Sequence, residues 1–213
     1  YSSTPPRPGT TTRTALNAEA RSSRTSNVDN PNSRQSKAAR KYDHPIIHLM
    51  RYAPPMVYGL QDLLDWADLP NKAKGIEVGS YTGESAVIMR MHAPHLHLTC
   101  VDTWQWPLSE HYFDLRAKPW NLTKHKTDSL TAAQHYKDHT FDLVYIDASH
   151  QYEHVKADIN AWLPKVKPGG VIGGHDYANG WQGVIKAVDE TFGEPDATFT
   201  DNSWAVRINK INT

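Results

Sequence analysis

Hydrophobic and polar positions alternate along the chain in two rhythms. Val57, Leu60, Leu63, Leu64 and Ala67 recur at helical spacing, so they predict one face of a helix that Leu69-Pro70-Asn71 stops. Gly75 to Val78 follows as a short buried strand, then a turn punctuated by glycines, then a crossover helix from Glu84 to Met91. Leu96 to Val101 predicts a second strand, with Asp102 at its carboxyl end. A short helix is expected from Ser109 to about Arg116, a weak third strand from Asn121 to Lys126, and a helix opened by Asp128-Ser129. Phe141 to Ile146, FDLVYI, is the most apolar strand signal. Tyr152, Val155, Ile159 and Trp162 mark an amphipathic helix, which Pro164 to Gly170 breaks. Val171 to Gly174 is the next strand, and Val184, Ile185, Val188 and Phe192 mark another helix. Alternation in ATFT and WAVRI predicts a closing antiparallel hairpin. Strand and helix alternate up to that hairpin, so the expected fold is α/β, with a mostly parallel sheet, helices on both faces and an antiparallel finish.

The first 41 residues do not share these rhythms. They are rich in Ser, Thr, Arg, Asn and Pro and hold eight basic residues against two acids, while the remainder holds 15 basic and 21 acidic residues. Such a stretch has too little apolar surface to offset the entropy of ordering, so residues 1–41 are expected to form a flexible basic tail and residues 42–213 the folded domain. The tail's composition also fits an organelle transit segment or an electrostatic arm for nucleic acid. The chain opens on Tyr1 rather than Met, so residues upstream are expected. The acidic domain offers no basic stripe, which argues against nucleic acid as a partner. No apolar run reaches the roughly 18 to 20 residues that span a bilayer, and the single cysteine, Cys100, excludes an intrachain disulfide. The expected setting is the cytoplasm or another reducing compartment. Oligomeric state stays open, a homo-oligomer included.

Chemistry concentrates at the strand ends. In GIEVGSYTGESA, Gly79 and Gly83 let the chain turn sharply, and the helix that follows presents free amide N–H groups. The turn lacks the G-x-G-x-x-G of a dinucleotide site and the Lys-Ser/Thr of a phosphate loop. Glu77 would repel a phosphate and attract an ammonium. Asp102 lies 19 residues beyond Gly83, at the strand end where an acid binds ribose hydroxyls. Asp147 and His150 in DASH, with His175 and Asp176 in GGHDY, are expected to converge on one crevice. Two acids and two imidazoles there suit a divalent cation. Trp104, Trp106, Tyr177, Asn179 and Trp181 are candidates to wall a substrate.

The stretch EVGSYTGES resembles motif I of the class I S-adenosylmethionine (SAM)-dependent methyltransferases. The resemblance covers roughly residues 55–210 and implies a Rossmann-like, seven-stranded sheet with SAM as cofactor. Under it Glu77, Gly79, Ser80, Tyr81, Gly83 and Ser85 would hold the methionine end. Asp102 and Thr103 would take the ribose, Asp128 and Ser129 the adenine, and Asp147 would border the methyl donor. The DASH and GGHDY pair is similar to the metal-dependent O-methyltransferases, of both the catechol and the natural-product sugar type. That implies a metal, magnesium foremost, on Asp147, His175 and Asp176, and His150 as the base that deprotonates a small-molecule hydroxyl. His175 departs from the family's usual Asp or Glu. The competing readings are a hydroxylase-like or non-catalytic protein on the same fold, and a binding module whose basic tail engages nucleic acid.

Overall fold

The computed structural model describes residues 54–209. The predicted basic tail and the start of the folded domain at residue 42 lie outside the described residues. The helix predicted ahead of the first strand spans Pro54–Ala67 (α1). It buries Leu60, Leu63, Leu64 and Ala67, the positions that its 3.6-residue rhythm aligns on one face. Strand β1 (Lys74–Val78) then enters the sheet, and helix α2 (Glu84–His92) follows the glycine turn. The helix ends where Arg90 turns its guanidinium onto the carbonyls of Ala93, Pro94 and Leu96, which have no helical partner of their own.

Strand β2 (His97–Asp102), helix α3 (Ser109–Ala117), strand β3 (Thr123–Lys126) and the short helix α4 (Ser129–Gln134) come next. They lead to β4 (Phe141–Ile146), in which all six residues are buried. A continuous apolar run of this kind belongs to a central parallel strand covered on both faces. Helix α5 (Tyr152–Trp162), strand β5 (Val166–Gly174), helix α6 (Gln182–Phe192) and strands β6 (Ala197–Thr198) and β7 (Trp204–Arg207) follow among the described residues. The seven strands run in the order β3-β2-β1-β4-β5-β7-β6, parallel through β5, with β7 antiparallel to β5 and to β6. The predicted architecture is the observed one.

Alternate side chains divide the sheet between two cores. Leu98, Cys100, Leu143, Tyr145 and Val171 meet α1, α2 and α3 on one face. Ile76, Val78, Val101, Val144, Ile146 and Ile172 meet α4, α5 and α6 on the other. Among the described residues, no helix is long and apolar enough to cross a membrane.

Three strand boundaries differ from the sequence reading by more than one residue. β5 begins at Val166 instead of Val171, because the register slips between Phe141 and Leu143 and lets Lys167-Pro168-Gly169-Gly170 ride along as an irregularity. Pro168, which has no N–H to give, is tolerated at such a slip. β3 begins at Thr123 because Asn121 adopts a left-handed backbone, φ 52°. β6 shrinks to two residues because Asn202 N–H donates to the Phe199 carbonyl and closes the turn early.

Candidate active site

The parallel strands β1, β2 and β4 end side by side, and their backbones are stitched together there. The Gly79 and Ser80 amides donate to the Val101 carbonyl, and the Asp147 amide donates to that of Val78. Over these ends lies a cavity of about 580 Å³, the size of a typical small-molecule site. Of the residues expected to hold a cofactor, Gly79, Tyr81, Asp102, Thr103, Ser129 and Asp147 line it. Glu77, Ser80, Gly83, Ser85 and Asp128 do not.

The reasons are local. Gly79 has φ +92°, and a Cβ built there would sit 2.1 Å from the Asp147 carbonyl oxygen. At Gly83, φ +83°, a Cβ would sit 2.9 Å from the Phe113 ring. Both glycines are thus required by the close approach of protein to protein, more than by the ligand approach expected from the motif. Glu77 lies beneath the turn, completely buried on the sheet face it shares with Cys100 and Tyr145. Its Oε1 accepts from Ser85 Oγ at 2.5 Å, while its Oε2 has no partner. The Ser80 hydroxyl lies near enough to act on Glu77 but makes no hydrogen bond of good geometry. Burial pushes the Glu77 carboxyl up to about 7, against the opposing effect of Ser80 and Ser85.

Asp102 serves the protein before any ligand. Its Oδ2 accepts from the Tyr81 amide at 2.8 Å and its Oδ1 from the Trp104 amide at 2.6 Å, so it ties the glycine turn to the end of β2. The same carboxylate faces the cavity, where each oxygen retains a lone pair. Asp128 is exposed and caps α4, accepting from the Thr131 amide at 2.9 Å, and that interaction lowers its pKa. The Ser129 hydroxyl is taken twice, donating to Asp158 at 2.5 Å and accepting from the Trp162 indole at 2.8 Å. Trp104, expected to meet a substrate, is instead 5% exposed: it packs on Phe113, lies under the Lys124 ammonium and donates to the Tyr81 carbonyl at 2.6 Å.

The predicted convergence of acids and imidazoles is present. Among the described residues, Asp147, His175 and Asp176 bring one ligand atom each within 4.8 Å of one another. Asp176, in a left-handed backbone of φ 63°, holds two imidazoles: Oδ2 meets His150 Nε2 at 2.5 Å and Oδ1 meets His175 Nδ1 at 3.1 Å. The His175 Nε2 is buried with no partner. Burial opposes charge on His175, yet the Asp176 hydrogen bond and the fields of Asp147, Asp176 and Asp201 push it up to about 9. Burial pushes Asp147 up to about 6, opposed by His175 and His150 and aided by Asp176 and Asp201. For Asp176 burial is outweighed by the two histidines, and its pKa is lowered. Trp181 stacks on the His150 ring at 4.1 Å with the planes 25° apart, and 44% of it remains exposed.

Sequence reasoning missed Gln105, Thr127, Ser149, Gln151 and His154, polar residues that also line the cavity. Only Ser149 carried a signal, through its place inside DASH. Asp201 was missed as well: it is buried in the β6–β7 turn, accepts from the Ser203 amide at 2.9 Å and contributes its field to His175.

An open, doubly wound sheet with a ligand-sized cavity over its carboxyl strand ends is a Rossmann-like arrangement, in which ligands bind at those ends. Residues 76–177 match the family described as a methyltransferase domain, and the chain has the class I, SAM-dependent methyltransferase fold. No curated protein matches the sequence. Among solved structures, a Corynebacterium glutamicum protein is similar at 14% identity and TM-score 0.57, over 89% of this chain and 94% of that one. A putative S-adenosyl-L-methionine-dependent methyltransferase from Methanococcus maripaludis is similar at 13% identity and TM-score 0.56, over 75% and 85%. A putative sarcosine dimethylglycine methyltransferase from Galdieria sulphuraria, at 18% identity and TM-score 0.45, is matched over 55% of this chain, which spans 44% of that protein's length.

Proposed function

We propose that the chain transfers a methyl group from SAM to the hydroxyl of a small molecule or sugar, with a divalent cation held by Asp147, His175 and Asp176. One observation carries this reading: Asp147 belongs both to the 580 Å³ cavity wall and to the His150, His175 and Asp176 cluster, so a donor site and an acid–imidazole site share a border. The cavity suits the donor. Its wall holds the Asp102 carboxylate, whose remaining lone pairs suit ribose hydroxyls. Bound there, SAM supplies a methyl group on a sulfonium.

The cluster suits a cation too. Two carboxylates and one imidazole bring ligand atoms within 4.8 Å of one another, and a cation bound there would displace the proton from His175. The carboxylates favour magnesium, and the imidazole brings manganese, iron or zinc into range. Such a cation would supply Lewis-acid charge at the acceptor hydroxyl. The remaining tasks fall to side chains. His150 bonds Asp176 through Nε2, which leaves Nδ1 to take the hydroxyl proton. Trp181 fixes the plane of that ring from one side and offers its exposed face to a planar or sugar acceptor.

Isothermal titration with S-adenosylhomocysteine (SAH) tests the donor site. Binding is expected, and Gly79→Val and Asp102→Ala should each weaken it; no binding by the unaltered protein refutes the reading. Product mass tests the reaction, since transfer adds one methylene, whereas a gain of one oxygen would assign a hydroxylase-like chemistry. Activity that survives both exhaustive chelation and Asp176→Ala excludes the cation.

A further inference from the structure

The loop that leads from Asp176 into α6 holds the chain's one Asn-Gly pair, Asn179-Gly180. The pair occupies the two central positions of a turn in which the Trp181 amide donates to the Ala178 carbonyl at 2.8 Å. Both residues are exposed, and a Cβ built on Gly180 would meet nothing within 4 Å. Among the described residues, the Gly180 amide has no acceptor and the Asn179 carboxamide no partner. The Asn179 carbonyl oxygen is engaged, because it accepts from Gln182 Nε2 at 3.0 Å. An exposed turn closed by one backbone hydrogen bond opens locally at little cost.

Such a glycine nitrogen, with no Cβ beside it, can attack the preceding side chain. Loss of its proton puts negative charge on the peptide group, shared between Gly180 N and the Asn179 carbonyl oxygen, and the Gln182 amide stabilises that charge where it lies. The nitrogen then bonds to Asn179 Cγ, the Cγ–N bond of the carboxamide breaks, and ammonia leaves with a proton, so a cyclic imide forms. Water opens the imide at either carbonyl. One opening gives aspartate; the other gives isoaspartate, in which the main chain runs through the former side chain. The net exchange is one ammonia for one water, with no change of oxidation state.

We propose that Asn179-Gly180 is a site of spontaneous deamidation assisted by Gln182, and that its isoaspartyl product loosens Trp181 from His150. The turn lies between two anchored points. Upstream, Asp176 holds His150 and His175, and its carbonyl accepts from the Ala178 amide at 2.8 Å. Downstream, Trp181 stacks on His150 at 4.1 Å, and its carbonyl accepts from the Val184 amide at 3.0 Å as α6 begins. Isoaspartate adds one carbon to the backbone between them, about 1.5 Å of extra chain, together with a negative charge. Asp176 is held by two imidazoles, whereas 44% of Trp181 is exposed, so the indole is the end that gives way. The inference stands apart from the donor-site reading and holds whatever reaction the site performs.

Ageing of the full chain at mildly alkaline pH tests it, followed by intact mass, peptide mapping and NMR of the His150 ring, assigned through His150→Gln. The mass should rise by one dalton, faster than in a sample kept mildly acidic, and the gain should map to residue 179 with isoaspartate among the products. Asn179→Gln should abolish it, because closure would need a larger ring, and Gly180→Ala should slow it by shielding the nitrogen. Gln182→Leu should slow it roughly threefold, the worth of one exposed hydrogen bond to the charge that develops. As isoaspartate accumulates, the His150 ring signals should lose the upfield shift that the stacked indole imposes, while those of Asn179→Gln stay in place. An unchanged mass, a gain that maps only to other residues, an unaltered rate in Gln182→Leu, or His150 signals that do not move as isoaspartate builds up each overturn the proposal.

Discussion

The carboxyl group of Glu77 offers a sharp test of how the site is built. It is fully buried, with one oxygen on Ser85 and the other unpartnered, and burial raises its pKa from an ordinary 4.5 to about 7. A carboxyl whose folded value stands above its unfolded value binds its proton more tightly in the folded state. Its contribution to stability is therefore complete below the unfolded value and is lost as pH rises through the folded one. Here the window runs from about pH 4.5 to about 7. At roughly 1.4 kcal/mol per pKa unit, the loss across it is about 3 kcal/mol. Glu77→Gln removes the charge and keeps an oxygen for Ser85, so the variant should lack this part of the slope. Asp147 and His175 also titrate with raised values, and their effects are largely common to both proteins, which makes the difference between the two the informative quantity. In urea unfolding at closely spaced pH values, that difference should move by about 3 kcal/mol in favour of the variant between pH 4.5 and 8. In thermal melts it corresponds to roughly 6–12 °C for a domain of this size. A difference that stays constant across the window would show that Glu77 does not carry its proton into the fold, and the reasoning fails.

Gly79→Ala places a Cβ against the Asp147 carbonyl at a left-handed backbone, so urea unfolding should show a loss of roughly 2–5 kcal/mol. Asp128→Ala removes a helix cap and should cost about 1 kcal/mol in the same assay while leaving SAH affinity within about twofold, because the residue stands outside the cavity wall. Asp102→Ala frees the Tyr81 and Trp104 amides together; a loss of about 2 kcal/mol is expected in urea unfolding, and SAH affinity in calorimetry should fall with it. Trp181→Ala should raise the KM for the hydroxyl acceptor with SAH affinity unchanged, since the ring lies against His150 and does not border the larger cavity.

The order of elements was legible from the chain alone because parallel strands covered on both faces are written as short apolar runs, and crossover helices as 3.6-residue stripes. FDLVYI and the Tyr152 to Trp162 stripe became β4 and α5 at the expected residues. The convergence of Asp147, His150, His175 and Asp176 was legible for a similar reason: residues just past the ends of adjacent parallel strands emerge on the same edge of the sheet. What each side chain does there was decided only in three dimensions. The motif around Gly79 announced a turn, but whether its glycines admit a ligand or the neighbouring strand depends on where Asp147 and Phe113 pack. Asp128 and Ser129 stood at the right place in the chain for a nucleobase, yet a local cap and the partners Asp158 and Trp162 engage them. Trp104 looked like a substrate wall until Phe113 and the Tyr81 carbonyl claimed it. His154 has no pattern around it, and it joins the cavity because the hydrogen bonds between α4 and α5 set the two helices face to face. Periodicity and strand ends carry local and topological information, whereas competition among hydrogen-bond partners is resolved by tertiary packing. The glycine-punctuated strand-to-helix turn was written in the sequence, and the assignment of its individual donors and acceptors was left to the fold.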